Sequence, residues 1–188
     1  MMMKRSALYY LQQRAGASFT NHHGWELPGF FMPPEKEAVG IRKGVGLADL
    51  SHLFKFDVQE EPGERSWPLG AHHYLLMTES PANPPSGAID VSSVYTCLRL
   101  CGPRSRDVLN KLTSLNVSSA AFPNLSCAQA TVAHVHAIVI RDDIGPMLAF
   151  YLLVSREYAE SVWESTVHAG HEFHLCAFGV TTLQSLHN

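Results

Sequence analysis

The run Glu35–Val58 changes its hydrophobic period part-way along, and the rest of the chain is read around it. Ala38, Ile41 and Val45 recur at spacings of three and four, so its first half presents one apolar helical face. Glu35 and Glu37 load the first turn and Arg42 and Lys43 the last, the charge order a helix dipole favours. Gly44 and Gly46 then stop the helix. From Leu47 the period becomes two. Leu47, Asp49 and Ser51 alternate with Ala48, Leu50 and His52, and Phe54, Phe56 and Val58 continue the pattern, which predicts one strand.

The flanking segments follow the same logic. Ala7–Ala15 reads as a short helix with Leu8, Leu11 and Gln12 on one side and Gly16 as its stop; Phe19–Pro28 reads as a loop or edge strand. Gln59–Ser66 is a polar surface connection, His73–Thr78 a short buried strand, and Glu79–Gly87 a proline-rich loop. Tyr95–Cys101 alternates as a strand, and Pro103 can sit in the first turn of a helix over Arg104–Thr113. Ala128–Val132 and His136–Arg141 suit two strands joined by a tight turn at Ala133 and His134. Met147–Val154 is almost wholly apolar, which predicts a strand buried on both faces. Ser155 is placed to cap a last helix over Arg156–Ala169, with Gly170 ending it. The order strand, helix, three strands, helix predicts an α+β fold with a mainly antiparallel sheet and packed helices. No stretch is large enough to make a second unit, so residues 1–188 are expected to form one domain.

Composition narrows the classes. With 46% hydrophobic and 16% charged residues the chain can bury an ordinary core. A net charge of −3 and the lack of any Lys/Arg run exclude nucleic acid as an expected partner. The amino-terminal Met1–Ser6 leads into an amphipathic segment, so neither a secretory signal nor a membrane span is expected. Cys97, Cys101, Cys127 and Cys176 form no C-x-x-C pair, as expected of reduced thiols in a cytoplasmic protein. Cys97 and Cys101 share a strand face but lie too far apart to bond.

Several constellations carry residue types that chemistry uses. Asp49, Ser51 and His52 are the residue types of a hydrolase triad, but in a strand His52 faces away from the other two. The adjacent pairs His22–His23 and His72–His73 would face opposite sides of an extended chain. His134 and His136 could share a face, and so could His171 with His168 or His174. None of this reaches the three or four convergent donors a metal needs, so no metal is expected. The glycines Gly40, Gly44 and Gly46 close a helix instead of opening one, so they imply no phosphate loop. Trp25, Trp67 and Trp163 are expected in core or interface positions.

Helix, then G-L-A-D-L-S-H, then an alternating strand, preceded by Gly24-Trp25-Glu26-Leu27-Pro28, resembles the opening of the glycine-cleavage T-protein (aminomethyltransferase) family. Further along, Leu98-Arg99-Leu100-Cys101-Gly102-Pro103 followed by Val108-Leu109 and Leu112-Thr113 is similar to that family's L-x-L-x-G-P-x-x-x-x-V-L-x-x-L-T. Phe150–Val154 with Tyr158, Ala159 and Trp163, and then Phe178-Gly179-Val180, extend the likeness over roughly residues 7–187. The resemblance implies the family's folate-binding-domain fold and a one-carbon transfer to tetrahydrofolate.

The family's working residues are not all retained. Its acidic segment after the S-H-x strand is mostly missing, leaving a shortened connection over about 59–90. Its folate-holding glutamates fall on Met147 and Tyr151, and its arginine on Leu183. The sequence also ends at Asn188, ahead of the family's carboxy-terminal barrel, so a form lacking that barrel is expected. Methionine cannot exchange a proton, and leucine cannot clamp a carboxylate. The expectation is therefore a degenerate, non-catalytic domain with no catalytic residue of its own. It would act as a subunit of a one-carbon or amine-oxidising assembly, in the manner of the gamma subunit of heterotetrameric sarcosine oxidase, with an oxidase or transferase subunit as partner. No cofactor is firmly expected; tetrahydrofolate is the one the resemblance admits. The alternative is a minimal tetrahydrofolate-dependent aminomethyl- or methyl-transferase with a rebuilt site. The pocket candidates are His52, Tyr74, Asp90, Asp142, Met147, Tyr151 and Leu183. The iron–sulfur-maturation branch of the superfamily ranks last, because its K-G-C-x-x-G-Q run is absent.

Overall fold

The computed structural model describes residues 3–60, 63, 65–80 and 84–186. Glu61, Pro62 and Glu64 of the expected polar connection, and Pro81, Ala82 and Asn83 of the proline-rich loop, lie outside the described residues. The central layer is a six-stranded sheet in the order β10-β11-β12-β9-β4-β13. Its strands are β4 (Val45–Asp49), β9 (Tyr95–Cys101), β10 (Cys127–Val132), β11 (Val135–Arg141), β12 (Ala149–Ser155) and β13 (Leu175–Ala177). All its neighbours pair antiparallel except β13, which runs parallel to β4.

Alternation along these strands supplies two cores, one on each face. Leu98, Leu100, Leu152 and Val154 point to the side covered by α1 (Tyr9–Arg14), α3 (Ser105–Leu112) and α4 (Ala159–Gly170), where Leu11, Leu109 and Trp163 meet them. Cys97, Cys101, Ala149, Tyr151 and Leu153 point to the other side. There they meet Ile41 of α2 (Pro34–Lys43), Val180 of α5 (Val180–Leu186), and Leu75 and Met77 of β7 (His73–Thr78). Burial on both faces is why β12 carries almost no polar side chain. The sheet carrying β7 has four antiparallel strands, β6-β7-β5-β8, with β5 at Phe54–Val58, β6 at Ser66–Gly70 and β8 at Ile89–Asp90. A third sheet joins β1 (Lys4–Arg5), β2 (Ser18–His22) and β3 (Trp25–Phe30), so Phe19–Pro28 is a hairpin and not a loop.

The expected α+β architecture with a mainly antiparallel sheet and packed helices is present, and no barrel closes among the described residues. The single strand expected from Leu47 to Val58 is not. It is two strands in two different sheets, β4 and β5, separated by a turn over Leu50–Leu53. Asp49 makes that turn: its carboxylate accepts from the Ser51 amide at 3.0 Å and the Ser51 hydroxyl at 2.5 Å. The Ser51 oxygen in turn accepts the Cys97 amide at 3.2 Å, which ties the turn to β9. Lys55, fully buried, donates to the carbonyls of Ser51 and Leu53. A period of two survives such a break because the turn spans an even number of residues, so the pattern alone does not reveal it.

Two expected helix ends also differ. Ser155 makes no side-chain cap; a 3-10 turn over Arg156–Tyr158 leads into α4 instead. Gly170 lies within α4, and the chain leaves the helix through a 3-10 turn ending on left-handed His174. Glycine is needed at 170 for closeness, since a Cβ there would lie 2.4 Å from Leu175 Cδ1. The turn at Ala133 and His134 forms as expected, both residues having positive φ, the geometry of a two-residue hairpin.

Candidate functional site

The site lies on the face of the central sheet that looks toward α5 and the four-stranded sheet. Four segments converge there: the Leu50–Leu53 turn, the hairpin tip at His22 and His23, the loop Asp142–Gly145, and the start of α5 at Val180 and Leu183. Between them is a cavity of about 290 Å³, floored by Arg99 from β9 and Tyr151 from β12. An adjoining cavity of about 350 Å³ shares Leu53, Arg65, Glu79, Asp142 and Tyr151 with it and adds Trp67 and Met77.

Of the expected pocket residues, His52, Asp142, Tyr151 and Leu183 are brought together at this cavity. Tyr74, Asp90 and Met147 are not among its walls. Tyr74 sits on β7 opposite Val58 and Pro68. Asp90 ends β8 at the surface, where its carboxylate accepts the Ser92 amide at 2.8 Å. Hydrogen bonding by the Ser92 side chain first, and by this amide second, holds the Asp90 carboxyl below its ordinary range. Met147 closes a small bridge with Ile144 and packs against the second core.

Arg99 was not a candidate; it enters the sequence only inside a family motif. Its signal is a guanidinium in the middle of an alternating apolar strand, on the same face as Cys97 and Cys101. In the fold it is only 2% exposed. Its Cζ lies 3.9 Å from the centre of the Tyr151 ring, the residue directly opposite it across the strand pair. One terminal nitrogen donates to the Asp142 carbonyl at 2.6 Å, and the other, Nη1, has no hydrogen-bond partner among the described residues. Burial raises the Tyr151 phenol above its ordinary pKa, and Arg99 beside it opposes the shift.

The histidines behave differently from their expected arrangement. The chain turns at His23, which has a positive φ, so the His22 and His23 rings meet edge to face at 4.5 Å instead of facing apart. His22 meets His52 in the same way at 4.7 Å. His52 is buried, its Nδ1 lacks a partner among the described residues, and it makes no catalytic pair with Ser51, whose hydroxyl belongs to Asp49. Burial first, then the neighbouring His22, Lys55 and His23, push its imidazole down to about 3. Among the described residues no group of three or more His, Cys, Asp or Glu is placed to hold a metal ion. The four cysteines are free, and burial pushes Cys97 up to about 11 and Cys101 up to about 12. At those values neither thiol is a nucleophile near neutrality.

The depressed His52 imidazole has a consequence for stability. The unfolded chain takes up a proton below about 6.5, while the folded state holds the ring neutral until about 3. Stability is therefore lost as pH falls through 6.5. Between about pH 7 and about pH 5 the loss from this group is about 2 kcal/mol. Urea unfolding across that window checks it: His52→Gln should show a shallower pH dependence than the parent by that amount, and parallel curves would refute the assignment.

A domain of this architecture, with its cavity against the central sheet, defines an aminomethyltransferase-like folate-binding-domain fold. Residues 70–187 match the family model described as the GCVT N-terminal domain, and the chain belongs to that family. It is similar to an aminomethyltransferase of Halothermothrix orenii, 22% identical over 98% of this chain and 64% of the relative. The chain thus spans about 60% of the length of curated aminomethyltransferases it matches. Among solved structures, glycine cleavage system aminomethyltransferase T from Bartonella henselae shares the fold with a TM-score of 0.77. That match is 18% identical and covers 98% of this chain and 62% of the other. A chain of the heterotetrameric sarcosine oxidase from Corynebacterium sp. U-96, in complex with pyrrole 2-carboxylate, shares it with a TM-score of 0.61. There the identity is 15%, with 76% of this chain and 93% of that chain covered. No described helix is long and apolar enough to cross a membrane.

Proposed function

We propose that this chain is a degenerate aminomethyltransferase-like domain without catalysis of its own, acting as a subunit of an amine-oxidising or one-carbon assembly of the sarcosine oxidase kind. The observation that carries the reading is the state of the cavity's proton-exchanging groups. His52 is held near 3, far from the neutral range where a general base is most effective. Asp143 is committed to the Arg141 guanidinium at 2.8 and 3.1 Å and to the Ala149 amide. The fold shared with a chain of a heterotetrameric sarcosine oxidase, 93% of which is covered, supports the subunit reading. A protein partner follows from this reading. One domain over residues 1–188 does too, because segments from across the chain cover both faces of the central sheet. Four unpaired cysteines favour a reducing cytoplasmic setting.

Tetrahydrofolate fits the cavity poorly. The resemblance implies two glutamates and an arginine holding folate. Here Met147 lies off the cavity walls, and Tyr151 and Leu183 stand where a glutamate and the arginine are placed. Of the acids left on the walls, Asp143 is committed to Arg141 and Asp142 faces Arg65. Calorimetric titration of the full chain with tetrahydrofolate is expected to show no binding at micromolar concentrations. Micromolar or tighter binding would overturn the proposal.

One observation favours the second reading, a minimal tetrahydrofolate-dependent transferase. The cavity is hollow, and His52 and Asp142 both line it. That reading requires folate-dependent transfer which Asp142→Asn abolishes while leaving the unfolding midpoint in place.

A further inference from the structure

Arg99 is a buried guanidinium with no carboxylate within ion-pairing distance among the described residues. Taking a cation out of water carries a penalty of several kcal/mol unless an anion or a full set of acceptors meets it. Among the described residues Arg99 has one acceptor, the neutral Asp142 carbonyl, and one aromatic face, the Tyr151 ring. Three buried side-chain atoms lack partners among the described residues: Gln12 Oε1, His52 Nδ1 and Arg99 Nη1. Two of the three belong to residues lining the same cavity. Unsatisfied polar groups of this kind are rare in folded proteins and call for a ligand or an ordered solvent group.

Glu79, Asp142 and Asp143 line the cavity, and none of them forms an ion pair with Arg99 among the described residues. Asp143 is held by Arg141, and Asp142 has its carboxylate oriented to Arg65 at 3.9 Å. The cavity is at the small end of ligand pockets, and Leu183 gives it an apolar wall. A planar monoanion with a short apolar body matches that combination. The wall acids Glu79, Asp142 and Asp143 repel a dianion about twice as strongly as a monoanion, so a single negative charge suits the one unpaired guanidinium.

We propose that this cavity binds a small monocarboxylate, held by the guanidinium of Arg99 with the carboxylate beside His52. Arg presents a planar fork that matches a carboxylate, and pairing in a desolvated site strengthens it. The inference does not depend on the subunit reading: failure of carboxylate binding leaves that reading standing, and folate binding would overturn that reading without deciding this one.

The test uses the full chain with butyrate, its neutral isostere butyramide, and n-butylammonium, a cation of similar length, at constant ionic strength. Amide and methyl NMR shifts are followed. Butyrate should shift resonances of Ile144, Leu183 and the His52 ring saturably, with a Kd of about 1 mM or tighter. Butyramide and n-butylammonium should bind at least about tenfold more weakly, the ratio a charge-assisted contact supplies. Arg99→Lys, which keeps the charge but loses the fork, should weaken butyrate by a similar factor. Because a change at a buried arginine can disturb folding, Leu183→Glu provides a second variant. It leaves Arg99 in place, adds a competing carboxylate to the wall, and should also abolish butyrate binding. Equal binding of butyrate and butyramide, butyrate shifts confined to residues away from this cavity, or no saturable butyrate shift would overturn the proposal.

Discussion

Replacing Glu37 by alanine is expected to destabilise the fold by about 3–5 kcal/mol, a large share of the stability of a domain this size. Its side chain is fully buried and has no cationic partner in ion-pairing distance among the described residues. The charge is met by hydrogen bonds instead. One oxygen accepts the amides of Phe31 at 2.5 Å and Met32 at 3.0 Å. The other accepts the Gly179 amide at 3.3 Å and the Thr182 hydroxyl. One carboxylate on α2 therefore fastens the end of the β3 hairpin and the first turn of α5. Alanine would leave three backbone donors and a hydroxyl in a dry interior, each costing about 1–3 kcal/mol when unsatisfied. Relaxation and water entry offset part of that sum. Glu37→Gln keeps one acceptor oxygen and should fall between. Urea unfolding midpoints measure the series; an alanine variant within about 1 kcal/mol of the parent would show that these bonds do not hold the fold.

Gly179→Ala should be comparably damaging by a different route. A Cβ at this position would lie 2.1 Å from the Gly29 carbonyl oxygen and 2.5 Å from the Phe30 nitrogen. Those are backbone atoms of β3, so no side chain can swing aside, and α5 must lift from the strand. Overpacking of a dense interior costs about 1–3 kcal/mol where neighbours can yield, and the upper end or beyond applies where they cannot. Lifting α5 would also stretch the Glu37 contacts to Gly179 and Thr182, so the two changes should be strongly non-additive in the double variant. The expected readout is a lower thermal midpoint together with faster amide exchange in α5. Unchanged exchange in α5 would count against the close approach.

Much of the fold is legible in the chain because its signals are local. Tyr95–Cys101 and His73–Thr78 are strands at their expected limits. Period-two alternation with β-branched and aromatic residues needs no distant partner to be read. Glycine and proline likewise mark the ends of α1 and α2 within one turn. The Leu47–Val58 stretch was misread for the complementary reason. Its pattern is continuous while its hydrogen-bond partners change from β9 to β7, and only pairing shows the change.

The candidate site was legible in part. Tyr151 and Leu183 follow from positions where the resemblance places a glutamate and an arginine, and they line the cavity, whereas Met147, from the same motif, does not. His52 and Asp142 were candidates by residue type, and the fold brings both to the cavity. Tyr74 and Asp90 were chosen for residue type within nearby sequence, and the four-stranded sheet carries them away from the cavity. The stretch Glu35–Val58 shows the division most clearly. Its helix, its glycine stop, its later strand and its family likeness are written in the sequence, since each depends on neighbours a few residues apart.

What Glu37, Asp49 and Arg99 do was decided by the tertiary structure alone. By helix periodicity and dipole, Glu37 is a first-turn surface acid; its partners Gly179 and Thr182 lie more than a hundred positions away in the chain. In the sequence Asp49 and Ser51 lie on one face of an alternating run, away from His52; the fold makes them a turn whose serine oxygen accepts the Cys97 amide of β9. Arg99 becomes a buried cation only when Tyr151 and Asp142 close over it. The free energy of a polar group depends on whether water or a partner surrounds it, and for these three residues the surroundings are assembled from distant segments.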